Sequence, residues 1–253
     1  MYYVDLNSDL GESFGAYNIG NDSGIIPLVS SANLACGMHA GDPVVMANAV
    51  KLCAAHGVSI GAHPGYPDMQ GFGRRELALT PSEADMYVRY QLGALSAVAE
   101  SLGGRVTHVK LHGAIYNRAA KDYALASAIC EGLAKVNPSL IFLGLANSEM
   151  IRAAAGAGLR AASEVFADRA YEDDGTLVAR SKPNSMIHDE DEMVARVIRM
   201  IKRDEVVSVN GKIVPIKCDS VCVHGDGARA LAFVKRLREA FADNDIEARK
   251  MAI

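Results

Sequence analysis

The sequence predicts a parallel α/β barrel, and three observations carry that reading. Short apolar runs end repeatedly in histidine or carboxylate: Asp9-Leu10-Gly11-Glu12, Ala35-Cys36-Gly37-Met38-His39-Ala40-Gly41-Asp42, Gly61-Ala62-His63-Pro64, Lys110-Leu111-His112-Gly113 and Cys222-Val223-His224-Gly225-Asp226. Reacting groups in α/β folds gather at the carboxyl ends of strands, so four of the seven histidines fall on one expected sheet edge. Between these runs stand marked helix starts, Asp42-Pro43 and Thr80-Pro81-Ser82-Glu83. The 253 residues suit one barrel of about 250 residues. No Pro/Ser-rich tract, low-complexity run or shift of charge density divides them, so residues 1–253 are expected to form a single domain.

Composition narrows the function classes. Hydrophobic residues make up 50% and charged residues 22%, which is ordinary for a soluble globular chain. A net charge of -4 with no basic cluster argues against nucleic acid as a partner. The first residues reach Asp5 without the basic start and apolar core of a signal peptide, and no later segment is apolar long enough to span a bilayer. A cytoplasmic protein without membrane contact is expected. Five unevenly spaced cysteines fit reduced thiols better than a disulfide framework.

Taken in order, Tyr2 to Leu6 is the first strand and 7–13 the loop after it, which makes Asp9 and Glu12 candidates for metal ligation or for orienting a nucleophile; the alternative is capping of the next turn. A Gly- and Asn-rich segment to Asp22 is a candidate flap, and Ile25 to Val29 leads to the second strand, Ser31 to Ala35. Asp42 caps a helix with an apolar stripe of Val45, Ala49 and Cys53, with Val50 beside it, that ends near His56-Gly57, away from the reactive edge. Val58 to Ala62 is the third strand. The Gly/Pro-rich loop after His63 shapes a pocket, with Arg74 or Arg75 placed to hold a carboxylate or to face solvent.

The capping box at Thr80 opens a helix to about Leu102, and Val106 to Leu111 is the fourth strand. Lys110 and His112 share one side of that extended chain, and a buried lysine needs a carboxylate or anion beside it. Tyr116 and Asn117 follow as candidate substrate contacts. A helix from Asp122 to Val136, a strand from Leu140 to Leu143 and a helix capped by Asn147 come next. The strand at Arg160 to Ser163 runs into Glu164-Val165-Phe166-Ala167-Asp168-Arg169-Ala170-Tyr171, where Glu164 and Asp168 are candidates to act on a metal or on Lys110, and Arg169 to hold an anion; the alternative is a pair that fastens the loop.

Arg180 to Ile187 is a loop, His188 a local hydrogen-bonding residue, and Asp189 with Glu192 caps a helix to about Arg203. Val206 to Val209, Asn210-Gly211 and Lys212 to Ile216 form a hairpin that departs from the βα rhythm. Val221 to Val223 is the last central strand, with a helix from Gly225-Asp226-Gly227 to Phe241 and a strand within Ile246 to Met251. Cys218, Cys222 and His224 lack the second ligand pair of a structural zinc loop. No Gly-x-Gly-x-x-Gly, Walker-type loop or Gly-x-Ser-x-Gly elbow occurs.

These motifs, in this order and from first strand to last helix, resemble the signatures of the LamB/YcsF family of 5-oxoprolinase A subunits. Leu111 stands where proline is expected and Ile115 where leucine is usual; neither removes a reacting group. The resemblance implies an irregular seven-stranded (β/α) TIM-like barrel of the glycoside hydrolase/deacetylase type, with the hairpin near 205–216 inserted. It implies opening of the lactam of 5-oxo-L-proline to L-glutamate with cleavage of ATP to ADP and phosphate, in a complex with subunits B and C and with Mg²⁺ accompanying ATP. Whether the chain also forms a homo-oligomer stays open.

The site expected on that basis has Asp9, His39, His63 and His112 acting on water or the lactam carbon, directly or as ligands of a divalent metal. His224 and Asp226 complete it, Lys110 and Arg169 stabilise negative charge, Glu164 and Asp168 assist, and Glu12, Asp42, Arg74, Tyr116 and Asn117 contact substrate. Two alternatives are a metal-dependent carbohydrate or amide deacetylase working alone and a non-catalytic binding subunit.

Overall fold

Residues 1–224 and 230–251 are described by the computed structural model. Seven parallel strands close a ring: β1 (Tyr2–Leu10), β2 (Ser31–Ala35), β3 (Ser59–His63), β4 (Val106–Val109), β5 (Ile141–Leu145), β6 (Arg160–Phe166) and, after the antiparallel hairpin β7 (Glu205–Val207) and β8 (Ile213–Pro215), β9 (Ser220–His224). The seam is closed by β1, which pairs with β9 over Asp5–Asp9 and with β2 over Asn7–Leu10. A short β10 (Ile246–Ala248) adds outside, against the start of β1.

β1 is longer than its composition suggests. The polar run Asn7-Ser8-Asp9-Leu10, expected as a loop, is strand. Its odd positions, Asp5, Asn7 and Asp9, hydrogen-bond across the barrel interior, while Val4, Leu6 and Leu10 pack outward under the helices. The same parity holds in β4 and beyond, where Val109 and Leu111 join the apolar layer and His108, Lys110 and His112 reach other strands' polar groups. A barrel interior usually holds stacked branched apolar side chains; here much of it is polar, which is why the alternation reads as loop.

The helices follow their start signals closely: α1 (Asp22–Ile25), α2 (Pro43–His56), α3 (Pro81–Ser101), α4 (Gly113–Ala119), α5 (Tyr123–Val136), α6 (Glu149–Gly156), α7 (Glu190–Arg203) and α8 (Ala230–Asp243). Asp42 accepts the Val44 and Val45 amides, Gly57 ends α2 at φ 64°, and both halves of the Thr80/Glu83 capping box are made. Asp122 and Asp189 cap α5 and α7.

Four local expectations change. Ile25 to Val29 is helical turn leading to β2, and α4 directly follows His112. The buried stripe of α2 is Met46, Ala49, Val50 and Cys53, rotated from Val45 by one position. Asn147 does not cap α6: it takes φ 62° and its Nδ2 donates to Pro215 O across to the hairpin, while Ser148 holds the cap position. The helix start expected at Gly225-Asp226-Gly227 lies outside the described residues. No helix among the described residues is long and apolar enough to cross a membrane.

Candidate active site

The barrel parity delivers Asp9 from β1, His63 from β3 and Lys110 and His112 from just beyond β4 into one cleft of about 910 Å³, which Glu12, Tyr116 and Arg169 also line. The chain beyond β4 stays extended because the Lys110 and His112 amides donate to Ala62 O and Pro64 O. That keeps two residues of spacing between side chains that face the same way.

One group gathers around imidazoles. His39 and His112 stack with ring centres 3.6 Å apart, and His63 stands edge-on to both. Glu12 Oε1 lies 3.3 Å from His39 Nε2 and 3.7 Å from His112 Nδ1. Two backbone carbonyls set the tautomers: His63 Nδ1–H donates to Lys110 O at 2.9 Å, and His112 Nε2–H donates to Phe72 O at 2.8 Å. The remaining nitrogens, His63 Nε2 and His112 Nδ1, then face each other at 3.0 Å, with Asp9 Oδ2 a further 3.3 Å from His63 Nε2.

Burial, followed by the neighbouring His63 ring, holds His112 neutral down to about 3; burial, then His112 and His63, holds His39 well below its ordinary value. The neutral His112 ring turns its Nδ1 lone pair toward Glu12 and His63, an arrangement that a cation relieves. His39 Nδ1 is buried with no hydrogen-bond partner. One donor atom from each of Glu12, His39, His63 and His112 lies within 4.8 Å of the others, so these residues can hold a divalent metal ion. Nitrogen and carboxylate donors suit zinc or another borderline ion, and the carbonyl-bound far nitrogens supply the outer hydrogen bonds that imidazole ligands use.

The second group centres on Lys110, 2% exposed. Its Nζ reaches Asp9 Oδ1 at 2.8 Å and Glu164 Oε1 at 2.7 Å, with Cys222 Sγ at 3.2 Å. Burial works against its charge, but Asp9, Cys222 and Glu164 outweigh it and hold the ammonium protonated well above the ordinary lysine range. Tyr116 Oη donates to the other Glu164 oxygen at 2.7 Å, and burial with that carboxylate keeps the phenol neutral. The carboxylate that a buried lysine requires is therefore present twice, and Asp9 joins the two groups.

The other expected residues are placed differently. Arg74 and Asn117 line the cleft from exposed positions, Arg74 over the Phe72 ring. Arg75 holds the chain's own Asp68. Arg169 is buried, donates to Val178 O at 2.6 Å and Ser185 O at 3.4 Å, and has its acidity raised by burial, to about 10. Asp168 does not line the cleft; its carbonyl accepts the Ile187 amide. Asp42 caps α2 and accepts the Gly15 amide, also away from the cleft. His224 ends β9 opposite Asp9, its side chain and Asp226 being outside the described residues. Cys222 is a buried neighbour of Lys110, and the described metal-capable group contains no cysteine.

Asn7, Asn33 and His108 were missed. They lie directly below the cleft, and the signal was available: Asn7 is two residues from Asp9, and His108 two from Lys110, so each shares its partner's side of the strand.

Comparisons with known proteins agree with this fold. The model of the LamB/YcsF family matches residues 4–253. The A subunit of 5-oxoprolinase from Clostridium beijerinckii is 57% identical over 98% of this chain and 97% of its own length. The crystal structure of a lactam utilization protein from Thermus thermophilus superposes with a TM-score of 0.93 at 44% identity, covering 98% of this chain and all (100%) of that one. T48 deacetylase, 13% identical with a TM-score of 0.50 over 98% of this chain and 88% of that one, shares the fold alone.

Proposed function

Since the chain belongs to the LamB/YcsF family, we propose that it hydrolyses a cyclic amide, opening 5-oxo-L-proline to L-glutamate, at a metal-dependent centre formed by Glu12, His39, His63 and His112. The observation that carries this is the convergence of those four donors beside the Asp9–Lys110–Glu164 group, with Glu12, His63, His112, Asp9 and Lys110 lining one cleft.

A bound divalent ion would polarise a carbonyl or acidify water at the cluster. The protein's own groups then account for the proton movements. Water adds to the lactam carbon while the Asp9 carboxylate, whose Oδ2 lies 3.3 Å from His63 Nε2, accepts its proton. Lys110, fixed between two carboxylates, stabilises charge developing on the former carbonyl oxygen. The C–N bond then breaks, the nitrogen takes up the proton just accepted, and the ring opens to an amine and a carboxylate. Arg74, which lines the rim, would meet the substrate carboxylate.

This make-up favours metal-dependent amide hydrolysis over an ATP-driven step within this chain. An unstrained five-membered lactam is a poor electrophile, and ATP consumption in the full reaction is assigned to companion subunits B and C, with Mg²⁺ accompanying the nucleotide. The metal cluster also fits a deacetylase working alone. Glutamate release from 5-oxoproline, measured with this chain and the two companions singly and together, with and without ATP, separates these readings. Release only from the full set with ATP supports the subunit role. Acetate release from an N-acetyl substrate by this chain alone supports the deacetylase, and an undiminished rate without this chain removes it from the reaction.

A further inference from the structure

Below the cleft, the barrel interior holds a polar ladder that the proposed reaction does not touch, with Asn33 on its middle rung. Asn33 Nδ2 donates to Asp9 Oδ1 at 2.9 Å and to Asn7 Oδ1 at 2.8 Å, and Asn33 Oδ1 faces His108 Nε2 at 2.9 Å. The amide has one orientation: reversed, its oxygen would meet the Asp9 carboxylate and the Asn7 carbonyl oxygen. That orientation places the proton of His108 on Nε2. Asn7 is fixed in turn, since its Nδ2 donates to Ser220 Oγ at 2.7 Å and Ser220 Oγ donates to Asp5 Oδ2 at 2.5 Å. Asn7, Asn33 and His108 are each 0% exposed.

Space for the His108 ring is built into the neighbouring strand. Gly61 pairs with His108 in the β3–β4 register, and a Cβ on Gly61 would overlap the imidazole. Lys110 and Asn33 both bond Asp9 Oδ1, while Oδ2 is directed at His63.

We propose that Asn33 is a positioning residue for Asp9, with His108 fixing the Asn33 amide from the side away from the cleft. The effect on turnover rests on the hydrolytic reading above; the hydrogen-bond relay does not. Glutamine at 108 keeps a donor near the Nε2 position and leucine removes it. In the complete complex, His108→Leu is expected to lower kcat by about 10–100-fold, the cost of losing an outer partner of a reacting group, with KM within about twofold, and His108→Gln to recover most of the rate. Asn33→Ala is expected to match His108→Leu.

The activity-independent readout is the imidazole N–H resonance of His108 in ¹⁵N-histidine-labelled protein. It is expected on Nε2, protected from exchange, and shifted and faster-exchanging in Asn33→Ala. Equal loss in His108→Gln and His108→Leu with both folded, or unchanged kcat in Asn33→Ala, overturns the proposal. Should the wild-type complex release no glutamate, the hydrolytic reading fails by itself; the relay then stands if the resonance responds to Asn33→Ala and falls if it does not.

Discussion

The segments after β4 and after β6 carry the same kinds of residue and do different things. After β4, His112 turns one nitrogen to a backbone carbonyl and the other to His63 at 3.0 Å, so polar atoms of like character face one another beside a cleft. After β6, the side chains mostly meet backbone groups: Arg169 donates to Val178 O and Ser185 O, Tyr171 Oη accepts the Phe166 amide, and Arg196 donates to Arg169 O. Polar residues past a strand are a weak sign of chemistry. Mutually unsatisfied ones at a cleft are a strong sign, because an arrangement that costs stability persists where something else completes it.

The largest effect should come from the unsatisfied side. Asp9→Ala is expected to cut turnover of the complete complex by about 10²–10⁴-fold, the range for loss of a proton-transfer group, and His112→Ala, which removes a metal donor, to cut it comparably, with circular dichroism unchanged in both. Full activity in both would erase the contrast. Metal content sharpens it: protein purified without chelator should carry near-stoichiometric divalent metal by elemental analysis, and His39→Ala should lose it, whereas Arg169→Met should not.

Lys110→Met leaves Asp9 and Glu164 without their shared cation and should cost about 3–5 kcal/mol of stability in denaturant titration, as for other broken buried pairs. Arg169→Met strands Val178 O, while Ser185 O keeps the Ala170 amide, and should cost about 1–3 kcal/mol, with a smaller loss of turnover. Equal costs would show that the two segments are not energetically distinct.

Acid provides a graded comparison. His108 is held down to about 3 by burial, then by Lys110 and His63, and His112 to about 3 by burial. Both fold as neutral rings, while the unfolded chain protonates near pH 6.5. Between about pH 6.5 and 3 the unfolded state binds more protons, so stability is full above that window and falls with decreasing pH, by up to about 1.4 kcal/mol per pH unit per histidine. His108→Gln should flatten this slope, as seen in denaturation midpoints from pH 7 to 5; an unchanged slope would remove His108 as a contributor. Smallest of all, Asp42→Ala should weaken the start of α2 and its tie to Gly15 and leave turnover unchanged within about twofold.

Much of this was legible in the sequence. The strand and helix alternation, the caps at Asp42, Thr80, Asp122 and Asp189, the 205–216 hairpin and the strand-end positions of His63 and His112 all follow from local chemistry: a cap or a turn needs particular side chains within a few residues, and those residues are adjacent in the chain. Tertiary structure decided the rest. Asn7 to Leu10 became strand because partners from β2 and β9 satisfy it, Glu12 joined the imidazoles, and Asn33 and His108 came beneath Asp9. Arg169 and Asp42 were drawn to backbone groups of their own neighbourhoods. Alternation along a strand tells which side a residue takes, but ring closure chooses its neighbours across the barrel, and for a buried polar group the neighbours determine whether it is a ligand, a base or a fastening.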